Sequence, residues 1–172
     1  MRKLVKLIAM VSPLAIVPCA FGASDPDASF YKKAAEGGLF EVEAGNQAQT
    51  KANDQRVKDF ANMLVNDHTA ADDQLKTLAE SKGISLPGSP SAMEMAEKAK
   101  LDLLSGDTYD KSFIQGQIKA HEQTIALFKR EAASGQDAQA KAFASSTLPT
   151  LEKHLRQARS IAAQGNYGKS AG

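Results

Sequence analysis

The sequence has little of what several common kinds of functional site require. Its 172 residues include one cysteine, Cys19, no tryptophan and only 6% aromatic residues. Cys19 lies in a segment that we expect to be removed, and its loss excludes disulfides, thiolate zinc sites and cysteine nucleophiles together. The low aromatic content also argues against surfaces that stack nucleic-acid bases.

An excess of charge of one sign is lacking too. The formal net charge is +1, and removal of Arg2, Lys3 and Lys6 with the N-terminal segment lowers it to −2. The remaining basic residues are interspersed with acidic ones instead of forming a patch, so we expect no nucleic-acid partner.

The N-terminal segment, residues 1–22, has the layout of a secretory signal peptide. A basic start precedes an apolar run over residues 7–20, and small residues follow it. Pro13 and Pro18 interrupt the run, which is short for a membrane span. We therefore expect cleavage after Gly22.

The mature protein is expected to begin with a polar leader over residues 23–28 and to have no transmembrane helix. Two alternatives stay open. Residues 1–22 could form a buried N-terminal helix, or Cys19 could carry a lipid anchor. Pro18 fits the second alternative poorly, because lipidation sites require a small residue before the cysteine.

The rest of the chain has helical periodicity and no strand pattern. The spacing and the turn residues predict four long helices and one short helix, which together form a bundle over residues 29–164. Pro149 lies inside the last helix and should kink or restart it. Residues 165–172 lack periodicity and are expected to be a disordered tail.

Two of the predicted helices place a histidine in the middle of an apolar stripe. The first stripe is Val57, Ala61, Leu64, His68, Ala71, Leu75 and Leu78, and the second is Ile114, Ile118, His121, Ile125, Phe128 and Ala132.

For the first helix, the inner line is predicted to be Ala35, Leu39, Val42 and Asn46. Glu36 and Glu43 share one face of this helix because they are seven residues apart, whereas Glu41 is expected to point elsewhere.

Loop lengths indicate how the helices connect. One short loop joins the first long helix to the second, and another joins the third to the fourth, which makes two helical hairpins. A partly helical connection of about 22 residues joins the hairpins and can carry the chain back along the bundle. The predicted fold is therefore all-α: a ferritin-like four-helix bundle with an extra short helix in the long crossover between helices 2 and 3.

Counting residues from the loops places four polar side chains, each on a different helix, at about the same level. They are Glu36, His68, His121 and His154. With Glu43 they are our candidate ligands for a metal ion such as Zn, Fe, Mn, Ni or Cu, which imidazole and carboxylate groups suit. The alternative is a set of core histidines that only hydrogen-bond within the protein, with Asp72 and Gln117 as partners.

The pattern of ferritin-type di-iron enzymes is absent. These enzymes carry Glu-x-x-His on two helices, whereas Val65, Ile118 and Leu151 stand three residues before the histidines. No catalytic residues can be assigned, and we expect a protein that is not an enzyme.

Four segments resemble a bacterial family of secreted proteins. They are FYKKAAEGGLFEVEAG, VKDFANMLVNDHTAADDQLKTLA, YDKSFIQGQIKAHEQTIALF and FASSTLPTLEKHLRQA. The pair Asp67-His68, the run AHE at residues 120–122 and the run LPTLEKHL at residues 148–155 are the most distinctive. The family is domain-of-unknown-function family 4142, often labelled "predicted outer membrane protein". The resemblance implies a ferritin-like bundle in the bacterial envelope, in the periplasm or at the outer membrane.

Two functions remain open from the sequence. One is a non-enzymatic structural, interaction or stress-related module that binds an envelope partner or forms a homo-oligomer. The other is a ferritin-like metal-binding protein with a His/Glu site inside the bundle.

Overall fold

The computed structural model describes residues 26–167, which form five α-helices and no strand. The helices are α1 (Pro26–Lys51), α2 (Gln55–Ser81), α3 (Ala92–Asp102), α4 (Gly106–Ser134) and α5 (Ala138–Gln164). The predicted all-α bundle, with a short helix in the crossover, is confirmed. The signal peptide predicted for residues 1–22 lies outside the described residues.

Two buried aspartates fix the directions of the helices. Asp27, in the first turn of α1, accepts hydrogen bonds from two consecutive backbone amides of the α4–α5 loop. Asp110, near the start of α4, accepts hydrogen bonds from two consecutive amides just before α2. Therefore α1 begins beside the end of α4, and α2 and α4 begin at the same end of the bundle.

The four long helices pack as two hairpins side by side. The tight pairs are α1 with α2 and α4 with α5, while α1 also flanks α4 and α2 flanks α5. The crossover helix α3 lies against α1 and α4. On α1, Gly38 and Gly45 allow the close approach of α2, because an added Cβ would overlap Asp72 at the first position and lie 2.7 Å from Val65 at the second.

The interior consists of two apolar clusters separated by a polar layer. The first apolar cluster, near the start of α2, includes Val57, Phe60, Leu64, Tyr109, Phe113, Ile114, Ala158 and Ile161. The second apolar cluster, at the other end, includes Phe30, Tyr31, Leu75, Ile125, Phe128, Phe143 and Leu151. The polar layer between them is formed by Glu41, His68, Gln117, His121 and His154, all buried.

The predicted inner line of the first helix is only partly correct, because Ala35 is buried but Leu39 and Val42 are half-buried. Asn46 is exposed, whereas Glu41, Ala44 and Ala48 are buried. After Phe30 and Tyr31, the buried side of α1 is lined mainly by alanine and glycine, which let the neighbouring helices approach closely. The larger Leu39 is only partly buried.

Both predicted ends of the bundle need correction. Residues 26–28 of the expected leader already belong to α1, because Asp27 is held by the α4–α5 loop. At residues 165–167 of the expected tail, Tyr167 is buried in the first apolar cluster and its hydroxyl donates a hydrogen bond to Asp54. Residues 168–172 lie outside the described residues.

Helix α5 runs through Pro149 without interruption, so the predicted restart does not occur. Pro149 removes the hydrogen bond that the carbonyl of Ser145 would accept. Both residues are exposed, so water can replace the missing donor.

Candidate metal centre

The three histidines of the chain meet in the polar layer from three different helices, α2, α4 and α5. Their ring centroids are 5.3–5.7 Å apart, and the rings of His68, His121 and His154 are 8%, 1% and 1% exposed. One nitrogen from each ring lies within 4.8 Å of the other two. The prediction that the three rings share one level inside the bundle is confirmed.

The helical stripes place the histidines there. On α2, Leu64 belongs to the first apolar cluster and Leu75 to the second, so His68 lies between the clusters. The other two helices repeat the arrangement, with His121 between Ile114 and Ile125 on α4 and with His154 between the clusters on α5.

Hydrogen bonds at the outer edge of two rings determine which nitrogen carries the proton. His121 Nδ1 lies 3.0 Å from the backbone carbonyl oxygen of Gln117, which can only accept a hydrogen bond. His154 Nε2 lies 2.8 Å from Asp67 Oδ2, and a carboxylate also accepts. In neutral rings, the protons therefore belong on His121 Nδ1 and His154 Nε2.

The inner nitrogens are then left with lone pairs that face each other. His121 Nε2 and His154 Nδ1 are 3.3 Å apart, and neither carries a proton to share. His68 Nε2 is also buried and has no hydrogen-bond partner among the described residues. A cation between these nitrogens would turn a repulsive arrangement into a favourable one. Hydrogen bonds at the outer edges are what orient histidines that bind metals.

The rings are neutral at pH 7, which is the form that binds metals. Burial, with the nearby His154, lowers the pKa of His121 to about 4. Burial and the other two rings hold the pKa of His68 well below its usual value. Burial also lowers the pKa of His154, although Asp67 acts in the opposite direction.

The spacing fits a small divalent ion. Zn–N bonds of about 2.0–2.1 Å in a tetrahedral site place neighbouring nitrogens about 3.3–3.4 Å apart. The separation of 3.3 Å between His121 Nε2 and His154 Nδ1 meets this requirement. The ligand nitrogens of the three rings lie within 4.8 Å of one another. Bringing all of them to the tetrahedral separation needs ring movements of about 1.5 Å.

The structure does not bring the two predicted glutamates to the histidines. Glu36 lies 3.9 Å from Lys32 of its own helix, and Glu43 lies 3.9 Å from Lys98 of α3 with its side chain 48% exposed. Neither glutamate is among the converging ligand atoms, which come from the three histidines alone in the described part of the chain.

Glu41 is the glutamate that sequence reasoning missed. It is 5% exposed, and its Oε1 lies 3.8 Å from His121 Nδ1, beside the edge of the ring that bonds Gln117. Burial raises its pKa to about 8, against a hydrogen bond from Gln117 that lowers it. The sequence did contain a signal for its burial: Glu41 precedes Ala44 by three residues and Ala48 by seven, which are helical spacings.

The core-histidine alternative expects Asp72 to be the partner of His68, but His68 Nε2 has no hydrogen-bond partner among the described residues. Asp72, His68 and Glu41 line a cavity of about 30 Å³ beside the layer, enough for one or two waters. Burial raises the pKa of Asp72 to about 7.

The fold and the site define the class of protein: it is a four-helix bundle with a crossover helix and a buried layer of three converging histidines. The chain belongs to the family described as "Domain of unknown function (DUF4142)", whose family model matches residues 17–161. None of the curated proteins matches the sequence.

Two solved structures share the fold. One is the "putative secreted protein DUF305" from Streptomyces coelicolor, with a TM-score of 0.73 and 16% identity, covering 87% of this chain and 100% of its own. The other is a DUF305 fragment from Deinococcus radiodurans, with a TM-score of 0.72 and 14% identity, covering 83% of this chain and 98% of its own. Within residues 26–167, no helix has the length and apolar character needed to cross a membrane.

Proposed function

We propose that the protein binds one divalent transition-metal ion through His68, His121 and His154, for metal storage, buffering or stress defence. The observation that supports this function is the placement of the ring nitrogens and their hydrogen-bond partners. Outer-edge hydrogen bonds leave unprotonated nitrogens of His121 and His154 facing each other at 3.3 Å inside the core.

A purely structural role fits this arrangement less well. A hydrogen bond between His121 and His154 needs a proton on an inner nitrogen. One ring would then have to become cationic, which burial opposes, or turn a lone pair toward the oxygen of Gln117 or Asp67. Imidazole ligands without thiolates suit Zn, Cu, Ni and Fe, with Mn bound more weakly.

The test uses tag-free mature protein treated with EDTA and then titrated with Zn²⁺ by calorimetry. We expect one ion per chain. At a free concentration 100 times the Kd, the ion should raise the free energy of unfolding by about 2.7 kcal/mol. For a domain of this size, that increase corresponds to a rise in Tm of roughly 5–10 °C.

Variants locate the site. His68→Ala and His121→Ala should each weaken Zn²⁺ binding by more than about 100-fold, since even outer partners of a ligand are worth 10–100-fold. Thr69→Ala, an exposed neighbour of His68, is the matched control and should bind as the wild type does. Full stoichiometry in both histidine variants, or a Tm that Zn, Cu, Ni, Fe and Mn all leave unchanged, would refute the proposal.

A second function, an interaction module of the envelope, is supported by the crossover. Met93, Met95 and Leu103 are 80%, 55% and 86% exposed, although large apolar side chains are usually covered. A partner protein or a second copy of the chain would cover them. Replacing all three with serine should abolish a dimer seen by light scattering. An unchanged dimer would show that these side chains are not its interface, and a wild-type monomer would exclude the second copy.

For location, we propose export to the bacterial envelope, either free in the periplasm or associated with the outer membrane. The layout of residues 1–22 and the secreted description of the Streptomyces relative support this location. Sequencing the N-terminus of protein from a periplasmic fraction should find Ala23 first. An uncleaved Met1 would contradict the proposal.

A further inference from the structure

A second cavity lies outside the histidine layer, beneath the crossover helix. It has a volume of about 160 Å³, is partly open to solvent and is lined by residues of α1, α3 and α4. Pockets for drug-sized ligands measure about 300–1,000 Å³, so this cavity is suited to a molecule of only a few heavy atoms. Phe40, Leu101 and Phe113 contribute apolar walls.

Two helical glycines keep this cavity open. Gly37 of α1 and Gly116 of α4 both line it. A Cβ at Gly116 would meet no atom within 4 Å, and one at Gly37 would meet only Glu94 Oε1, at 3.9 Å. Close helix packing therefore does not explain them, in contrast to Gly38 and Gly45. A glycine inside a helix costs about 1 kcal/mol relative to alanine, so the open space is maintained at a cost in stability.

Two unmatched acceptors belong to residues of the inner wall of the cavity. Glu41 and Gln117 line the cavity and are 5% and 2% exposed. One oxygen of each, Glu41 Oε2 and Gln117 Oε1, is buried without a hydrogen-bond partner in the described part of the chain. A buried acceptor left unpaired costs about 1–3 kcal/mol, so a ligand that donates hydrogen bonds to both oxygens would recover this energy.

The charge of the lining indicates the sign of the ligand. Apart from the buried Glu41, two carboxylates line the cavity, those of Glu94 and Glu97, against the single ammonium group of Lys119. Glu94 also holds the first turn of α3 through a capping box with Ser91, so the acidic wall has a fixed position. Cations are favoured over anions and neutral molecules in such a site.

We infer that the cavity binds a small primary ammonium compound, whose N–H groups donate to Glu41 and Gln117 and whose short hydrocarbon part lies against Phe40 and Phe113. This site is distinct from the proposed metal centre and does not depend on it. The probe is n-butylammonium, with n-butanol as the neutral analogue of similar size and butyrate as the anionic one.

Binding is measured by amide NMR shifts in full-length mature protein containing EDTA, so that the amine cannot act through a metal ion. Butylammonium should shift amide signals of α1, α3 and α4 around the cavity, and butanol and butyrate should bind at least tenfold more weakly. Glu41→Leu, which removes the acceptor oxygens, should weaken butylammonium binding at least tenfold. Glu122→Leu, at an exposed glutamate of α4 paired with Arg159, should leave it unchanged.

Gly116→Ala tests the cavity without removing a polar group. There is room for the added methyl, so the Tm should be equal or higher while butylammonium binding falls at least tenfold. The inference is overturned if butylammonium produces no saturable shifts, if butanol binds equally well, or if Glu41→Leu and Gly116→Ala both bind like the wild type. Failure here with Zn²⁺ binding intact would leave the metal proposal standing, and the converse result would leave this one standing.

Discussion

The polar layer and the two apolar clusters are built by the same four helices. They differ in whether their buried atoms have suitable partners, apolar contacts in the clusters and hydrogen bonds in the layer. In the clusters, large side chains such as Phe60, Leu64 and Phe113 are at most 1% exposed and pack against one another. In the polar layer, Glu41 Oε2, His68 Nε2 and Gln117 Oε1 are equally buried but have no partner among the described residues. The clusters therefore stabilise the bundle, whereas the unpaired atoms of the layer reduce its stability.

The largest effect should come from the apolar side of this comparison. Leu64→Ala, one turn before His68, should lower the free energy of unfolding by about 2–5 kcal/mol, because it removes buried methyl groups and leaves a cavity. Urea denaturation measures the change, and exposed Asn62→Ala is the control. A loss below about 1 kcal/mol would mean that the first apolar cluster is loosely packed.

Acid should weaken the polar layer through His121. The pKa of His121 is about 4 in the folded chain and 6.5 when unfolded, so the unfolded state takes up the proton first as the pH falls. The contribution of His121 to the free energy of unfolding is fully present above pH 6.5. About 3 kcal/mol of it is lost as the pH falls from 6.5 to 4.

Glu41 and Asp72, whose pKa values are raised, oppose this acid effect, so the wild type must be compared with His121→Leu in metal-free buffer. The difference in the free energy of unfolding between the two proteins should shift by about 3 kcal/mol from pH 7 to pH 4. A difference independent of pH would show that His121 accepts a proton as easily in the folded protein as in the unfolded chain.

Glu41→Gln should have a smaller effect of opposite sign. The pKa of Glu41 is raised to about 8, so folding keeps a proton that the unfolded carboxyl has released above pH 4.5. This stability cost is absent below pH 4.5 and grows toward pH 8. The glutamine variant should therefore be more stable than the wild type by about 1–3 kcal/mol at pH 7, and this gain should vanish at pH 4. Equal stability at both pH values would contradict the burial of Glu41.

The smallest effect concerns His68. His68→Leu replaces a buried ring that has an unpaired nitrogen with an apolar side chain between the two apolar clusters. The metal-free protein should gain about 1 kcal/mol in the free energy of unfolding while losing metal binding. A loss of several kcal/mol would mean that the histidine is itself structural.

Most of the fold followed from periodicity. The stripes around His68 and His121, the short loops and the long crossover were enough to predict the bundle and the meeting of three rings. Along α2 and α4, large apolar residues mark the buried face, so the histidines could be assigned to the interior directly.

The side of the site formed by α1 could not be predicted in the same way. Around the site, from residue 34 to residue 48, its buried face is made mainly of alanine and glycine, which carry little hydrophobic signal, beside Phe40 and Glu41. The larger Leu39 and Val42 lie only partly buried. The carboxylate of the layer was therefore missed at Glu41. The roles of Asp67 and the Gln117 carbonyl, and the proton positions they determine, depend on side-chain geometry that no spacing rule supplies.

The protons of the three rings provide the most direct test of the metal centre. Histidine-ring nitrogen NMR of metal-free protein at pH 7 should show neutral rings, with the proton on Nδ1 of His121 and on Nε2 of His154. One equivalent of Zn²⁺ should shift the signals of His121 Nε2 and His154 Nδ1 and leave both protons in place. A proton shared between those two nitrogens, with no response to Zn²⁺, would contradict the account.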